Sequence, residues 1–221
     1  MKKLFLILGL GVALAGCAAE PKPIAPLAPD FASLGKIYID TQDMRILDRS
    51  YSVPKWSPYV GHDLQPKLAD AVKRWADDRL QAVGMMGHTT LIIKDASVSR
   101  QLLPVSTELS GMFTREQAYK LVGHVEVTVD SQSPVNNMTG IATANAAHYV
   151  TLPEDPTANE LQAAYNALVT KIMADLNVNL ERAMRDHMPR FLVAAPQQQT
   201  GDPAMMAPVD LGAPVGSSKG W

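Results

Sequence analysis

The chain has 221 residues, with twenty basic and twenty-two acidic side chains, a formal charge of −2, and a single cysteine. A balance this close to neutral excludes the basic footprint of a nucleic-acid binder. One cysteine excludes a disulfide framework within the chain, so stability has to come from an apolar core.

The first element is an export signal. Lys2 and Lys3 give it a positive start, and residues 4–16 form an uncharged stretch of thirteen. A helix crossing a bilayer needs about 20 residues, so this stretch is too short to span. It closes on Leu14-Ala15-Gly16-Cys17. That tetrad resembles the bacterial lipobox. The resemblance implies that residues 1–16 are removed and that Cys17 carries a diacylglycerol and then a further acyl chain. The alternative is an ordinary secretory signal with Cys17 as a bystander. Loss of the two lysines would leave eighteen basic and twenty-two acidic residues, a formal charge of −4. Two or more acyl chains anchor stably, at about 0.8 kcal/mol per buried methylene, which makes a membrane the expected partner of Cys17. Residue two of the processed chain is Ala18 rather than Asp. By resemblance to enterobacterial sorting rules this implies the outer membrane, with the domain facing the periplasm.

Residues 17–30 read as a lipidated cysteine and a tether, with four prolines among residues 18–30. Such a segment favours polyproline II at about 3.1 Å per residue, a reach of up to roughly 40 Å. A single domain is expected over residues 31–193. Its first strand is predicted at residues 36–40, resuming at 44–51. Residues 64–83 place Leu64, Leu68, Ala71, Val72, Trp75 and Val83 at helical spacing, with Pro66 in the first turn and Gly84 as the stop. Further strands are predicted at residues 89–98, 119–130 and 140–152. In the last two, Leu121, Val125, Val127 and Val129 share a face, as do Ala142, Ala144, Ala146, His148 and Val150. Matching those faces as a hairpin requires Val129 opposite Ala142, Val125 opposite Ala146 and Leu121 opposite Val150. A slip of one residue would turn Glu126 inward.

The second helix opens with a Thr157-x-x-Glu160 capping box and carries a stripe from Leu161 through Tyr165, Leu168, Ile172, Leu176, Leu180 and Ala183 to Met184. At about 45 Å it is longer than a small sheet needs, so its last turns are expected to protrude. Residues 194–221, with four Pro, four Gly and a Gln triplet, read as a disordered tail. The expected fold is α+β: a mainly antiparallel four-stranded sheet with two helices packed on one face.

No Gly-x-Ser-x-Gly, phosphate loop, His-Glu-x-x-His or Cys-x-x-Cys motif lies in the mature region. No catalytic residue, cofactor or metal site is therefore expected. The hairpin register places His124 and His148 on opposite faces, which argues against a cross-strand metal pair. It also sets His148 opposite Gly123, where a missing side chain leaves room for a ring. His62 and His88 fall in turns, and His187 in the last helical turn, where positive charge complements the dipole. Asp77, Asp78, Glu181 and Asp186, among Arg74, Arg79, Arg182 and Arg185, read as solvated helix surface. The segment 51–59 intersperses three aromatics, Tyr51, Trp56 and Tyr59, with Pro54 and Pro58. Trp56 and Tyr59 form either a rigid partner-contact surface or a seal over the end of the first helix.

The lipobox, the Pro-rich tether, the Arg74-Trp75-Ala76 helix, and the strand Tyr119-x-Leu121-x-Gly123-x-Val125 followed by an Ala-rich strand and a long helix resemble small envelope lipoproteins. The layout is similar to that of the auxiliary lipoproteins of lipid-transport ABC systems and of lipopolysaccharide-assembly lipoproteins. The resemblance implies a non-enzymatic, membrane-anchored accessory subunit that binds an envelope protein or glycolipid. A peptidoglycan-binding structural lipoprotein and an envelope enzyme without a recognisable motif remain the alternatives.

Overall fold

A computed structural model of the protein describes residues 22–27, 29–52, 54–55, 57–104 and 117–195. The elements in chain order are β1 (Ile37–Ile39), β2 (Asp43–Asp48), α1 (Leu68–Arg79), β3 (Leu80–Ala82), β4 (His88–Leu102), β5 (Gln117–Ser133), β6 (Met138–Pro153), α2 (Ala158–His187) and β7 (Leu192–Val193). Among the described residues no helix is long and apolar enough to cross a membrane.

The main sheet has the order β2-β4-β5-β6. β4, β5 and β6 are antiparallel neighbours, whereas β2 joins β4 in parallel, so the sheet is mixed rather than antiparallel throughout. The hairpin register is the predicted one: Val129 faces Ala142, Val125 faces Ala146 and Leu121 faces Val150. Alternation then buries Val125, Val127 and Val129 completely and turns Glu126 outward to Lys94 Nζ at 3.1 Å. Lys94 itself sits at a bulge between the paired residues Ile93 and Asp95.

A second sheet, in the order β3-β1-β7, corrects the predicted four-stranded architecture. β3 runs parallel to β1, with Ile37 opposite Leu80 and Ile39 opposite Ala82; β7 is antiparallel to β1. The first helix is accordingly shorter than predicted, starting at Leu68 and ending at Arg79. Leu80 continues the helical spacing, but pairing with β1 and burial beneath the domain give it a strand conformation. Gly84 is not a helix stop. Its amide donates to Thr41 O at 2.9 Å, and an added Cβ would stand 2.6 Å from the Asp40 carbonyl carbon, so the glycine permits a close backbone crossing.

α2 begins with the predicted reciprocal cap: Glu160 N donates to Thr157 Oγ1 at 3.2 Å, and Thr157 N to Glu160 Oε2 at 2.7 Å. Its last turns do not protrude. The 16 residues of β6 span about 53 Å, enough for a helix of about 45 Å, and Leu180 and Met184 are fully buried. Close packing against the sheet depends on Gly123, where an added Cβ would lie 2.4 Å from Ile172 Cδ1. The space predicted for an imidazole is thus filled by α2.

α1 and α2 run parallel and are joined by a buried hub. Arg79, 3% exposed, donates through Nε to Asn177 Oδ1 at 3.1 Å and through Nη2 to Glu181 Oε2 at 2.7 Å. Its Nη1 donates to the carbonyls of Leu34 and Gly35. Trp75 Nε1 donates to the same Asn177 oxygen at 2.9 Å. Arg79 and Glu181 are therefore not the solvated surface pair that their charged neighbours imply. A second polar line crosses between strands: Thr89 Oγ1 lies 2.9 Å from Thr41 Oγ1 and 2.8 Å from Ser131 Oγ, all buried, and Thr41 Oγ1 donates to Asp43 O at 3.3 Å.

Candidate functional site

Of the residues singled out by sequence, Cys17 and Trp56 lie outside the described residues. Tyr59 is half-buried and forms an antiparallel bridge with Ser99 of β4. β2 ends at Asp48, opposite Ile93, so beyond that point the edge of β4 away from β5 is left without a paired strand. The segment around Tyr59 takes its place: Val60 N donates to Val98 O at 2.9 Å, and Arg100 N donates to Pro58 O at 2.7 Å. Proline suits such an edge because it supplies a carbonyl and has no N–H to leave unpaired.

Beneath this segment is a cavity of about 290 Å³, lined by Asp48, Tyr51, Tyr59, His62, Lys73 and Val98 among others. Tyr51, at 79% exposure, stands at its mouth. Lys73 Nζ contacts Asp48 Oδ2 at 2.8 Å and Asp70 Oδ1 at 3.2 Å. Burial works against ionisation of Asp48, but hydrogen bonds from Lys73 and Ser50 outweigh it and hold the carboxyl below its usual range. The hydrogen bond to Asp48 is the largest influence on Lys73 and raises its ammonium above the usual range. A proton-transferring carboxylate or a nucleophilic lysine needs the opposite shifts, so this pair holds charge and fixes α1 against β2. The pair gave no local sequence signal, its members being 25 positions apart.

The other histidines are spread over the fold. His88 is the first residue of β4 rather than a turn residue, and lines a cavity of about 560 Å³ with Asp43, Arg45, Gln132 and Asn137. His124 and His148 occupy opposite faces of the sheet, as the register requires. His124 Nδ1 lies 3.0 Å from Asp95 Oδ2, and His148 Nε2 lies 2.6 Å from Asp175 Oδ2 of α2. That second hydrogen bond is the main influence holding the Asp175 carboxyl below its usual range. His148 is thus a strut between β6 and α2. Among the described residues no three His, Cys, Asp or Glu side chains gather as a metal site.

No protein-family model and no curated protein matches the chain. Among solved structures it is similar to a minor lipoprotein from Acinetobacter baumannii, at 12% identity and a TM-score of 0.34, over 71% of this chain and 99% of that one. It is also similar to rare lipoprotein B from Shewanella oneidensis, at 16% identity and a TM-score of 0.27, over 63% and 99% of the two chains. A Xanthomonas campestris protein matches at 8% identity and a TM-score of 0.33, over 73% and 94%. These are likenesses of outline, and the functional reading rests on the residues of this chain.

Proposed function

We propose that the protein is a lipid-anchored accessory subunit of a bacterial envelope, held at the outer membrane through Cys17 and facing the periplasm. It acts by binding an envelope protein or glycolipid rather than by catalysis. The observation that carries this reading is the Leu14-Ala15-Gly16-Cys17 tetrad closing an uncharged stretch with a dibasic start. Tyr59 on the rim of a cavity, its segment braced by backbone bonds to β4, supplies a pre-ordered contact surface, and Trp56 is nominated beside it from the sequence alone. Holding such a surface in place before binding lowers the ordering cost, and truncating an aromatic anchor can cost about 2 kcal/mol or more.

Cys17→Ala is expected to abolish incorporation of labelled palmitate and to release the chain from membranes; equal labelling in wild type and variant would refute the anchor. With the anchor intact, Tyr59→Ala and Trp56→Ala are expected to reduce capture of a crosslinked partner in native membranes. Undiminished capture by both would remove this surface, whereas lost activity in a folded His62→Ala variant that still captures its partner would favour an enzyme.

A further inference from the structure

Two side-chain amides of α2 grip the chain just ahead of the domain. Asn159 Oδ1 accepts from Ile24 N at 2.9 Å while its Nδ2 donates to Lys22 O at 3.2 Å. Asn166 repeats the contact, accepting from Leu27 N at 3.0 Å and donating to Ala25 O at 3.0 Å. Gln162 stands between them, its Nε2 donating to Asn166 Oδ1 and to Gln65 O, both at 2.8 Å. The periods match. Seven helical residues rise about 10.5 Å, and three residues of polyproline II about 9.3 Å. In Lys22-Pro23-Ile24-Ala25-Pro26-Leu27, the residue before each proline offers its carbonyl and the residue after it offers its N–H. A carboxamide presents an acceptor and a donor side by side, so each asparagine reads one such unit.

The gripped chain runs parallel to α2, with Lys22 beside the first turn of the helix. Four residues, 18–21, and so five residue-to-residue steps, separate that point from Cys17, to which an acyl group would be attached. Fully extended they reach at most about 18 Å, against the roughly 40 Å open to a tether free along its whole length. We propose that this grip decides which end of the domain faces the bilayer: the end where α2 begins, β4 and β6 finish and β5 starts lies against the phospholipid surface. This rests on the reading of Cys17 as the lipidated residue.

The side chains at that end suit a headgroup layer. Leu102 is 80% exposed and Tyr149 63%. The exposed Arg100 guanidinium stands 4.1 Å from the centre of the buried Tyr119 ring, and Lys120 Nζ lies 5.5 Å from the centre of the exposed Tyr149 ring. Aromatic rings and long cationic side chains are the residues that settle at membrane–water interfaces. Glu154 and Asp155 are exposed at the same turn, so the occupant is a phospholipid surface in general, with no requirement for anionic lipid.

The test couples the mature chain through the Cys17 thiol to a maleimide lipid in phosphatidylcholine vesicles carrying a nitroxide-headgroup quencher. A fluorescent amino acid is placed at Leu102 or, at the opposite end of the sheet, at Asn137. Quenching at 102 is expected to be several-fold stronger than at 137. Asn159→Ala combined with Asn166→Ala, with folding verified by circular dichroism, is expected to abolish most of that contrast. A Gly-Ser insert of about ten residues after Pro21, which leaves the grip untouched, is expected to do the same by lengthening the free run. Equal quenching at both positions, stronger quenching at 137, or a contrast that survives the insert would overturn the proposal. Chemical coupling makes this result independent of the palmitate experiment, so failure of the lipidation reading and failure of the orientation are separable.

Discussion

The two faces of the four-stranded sheet are built from the same strands and reach opposite outcomes. One face carries Val125, Val127, Val129, Ala142, Ala144 and Ala146 under α2, all buried. The other carries cross-strand polar pairs: Lys94–Glu126 at 3.1 Å, His124–Asp95 at 3.0 Å and Thr128–Thr143 at 2.8 Å. Ile141, at 57% exposure, and Tyr149 stand among them. Both helices go to the first face, which therefore holds most of the domain's apolar burial. Pairs on the second contribute about 0.2–1 kcal/mol each and keep the strands in register without closing a core. Strand alternation decides the side on which a residue stands; the placement of the helices decides how much that side weighs.

The largest expected effect lies beneath the helices. Arg79→Ala removes a buried charge, takes the shared donor from the carbonyls of Leu34 and Gly35, and leaves Asn177 with Trp75 alone and Glu181 with the exposed Arg185 alone. Loss of one member of a buried pair costs about 3–5 kcal/mol, which urea denaturation should report. A cost typical of an exposed ion pair would show that the hub is surface after all. Gly123→Ala probes the closest approach of helix and sheet, and overpacking there should cost about 1–3 kcal/mol. Adding Ile172→Val removes the atom that the new Cβ meets, so the double variant should lose less than the sum of the two single losses.

On the open face the expectation falls. Glu126→Gln should cost under about 1 kcal/mol and lose its effect at high salt, because the carboxylate and Lys94 are both partly solvated. A large loss would mean that this face is covered in the working protein. A smaller effect still concerns pH. The Asp48 carboxyl is held below its ordinary value of 3.8. A lowered folded-state pKa gives stability that is present above the unfolded value and is lost as pH falls through the folded one. Stability should therefore decline below about pH 4, and Asp48→Asn should flatten that decline in acid-titration melts. Lys73, raised above 10.5, acts at the other limit: its contribution is complete below that value and fades as pH rises through the raised one.

The hairpin was legible because its signal is local and redundant. Only one register keeps the valines of β5 and the alanines of β6 on one face with Glu126 outside it. The reciprocal cap of α2 was legible for the same reason, since all its atoms lie within four residues. β3 was not. Leu80 and Val83 extend the helical period, and only proximity to β1 makes them extended. Arg79 was misread because it follows Asp77 and Asp78, while the groups it binds come from residues 34–35 and 177–181. Tyr59 could be nominated from its flanking prolines, but the cavity beside it is assembled from β2, α1 and β4 and has no signature in any one of them. The grip on residues 22–27 did leave a trace, an X-Pro-X period of three and two asparagines seven apart. Those marks acquire meaning only once the two segments are known to touch.

The line of hydroxyls at Thr41, Thr89 and Ser131 has a direction. Thr41 owns one hydroxyl proton and gives it to the Asp43 carbonyl, so its oxygen is left to accept from Thr89. Thr89, its proton spent in that bond, must accept from Ser131. Three dipoles therefore point head to tail from β5 through β4 to the start of β2, and none can rotate alone without placing two protons, or none, between a pair of oxygens. The orientation of one proton in the link between the two sheets thus sets the orientation of the others, two strands away.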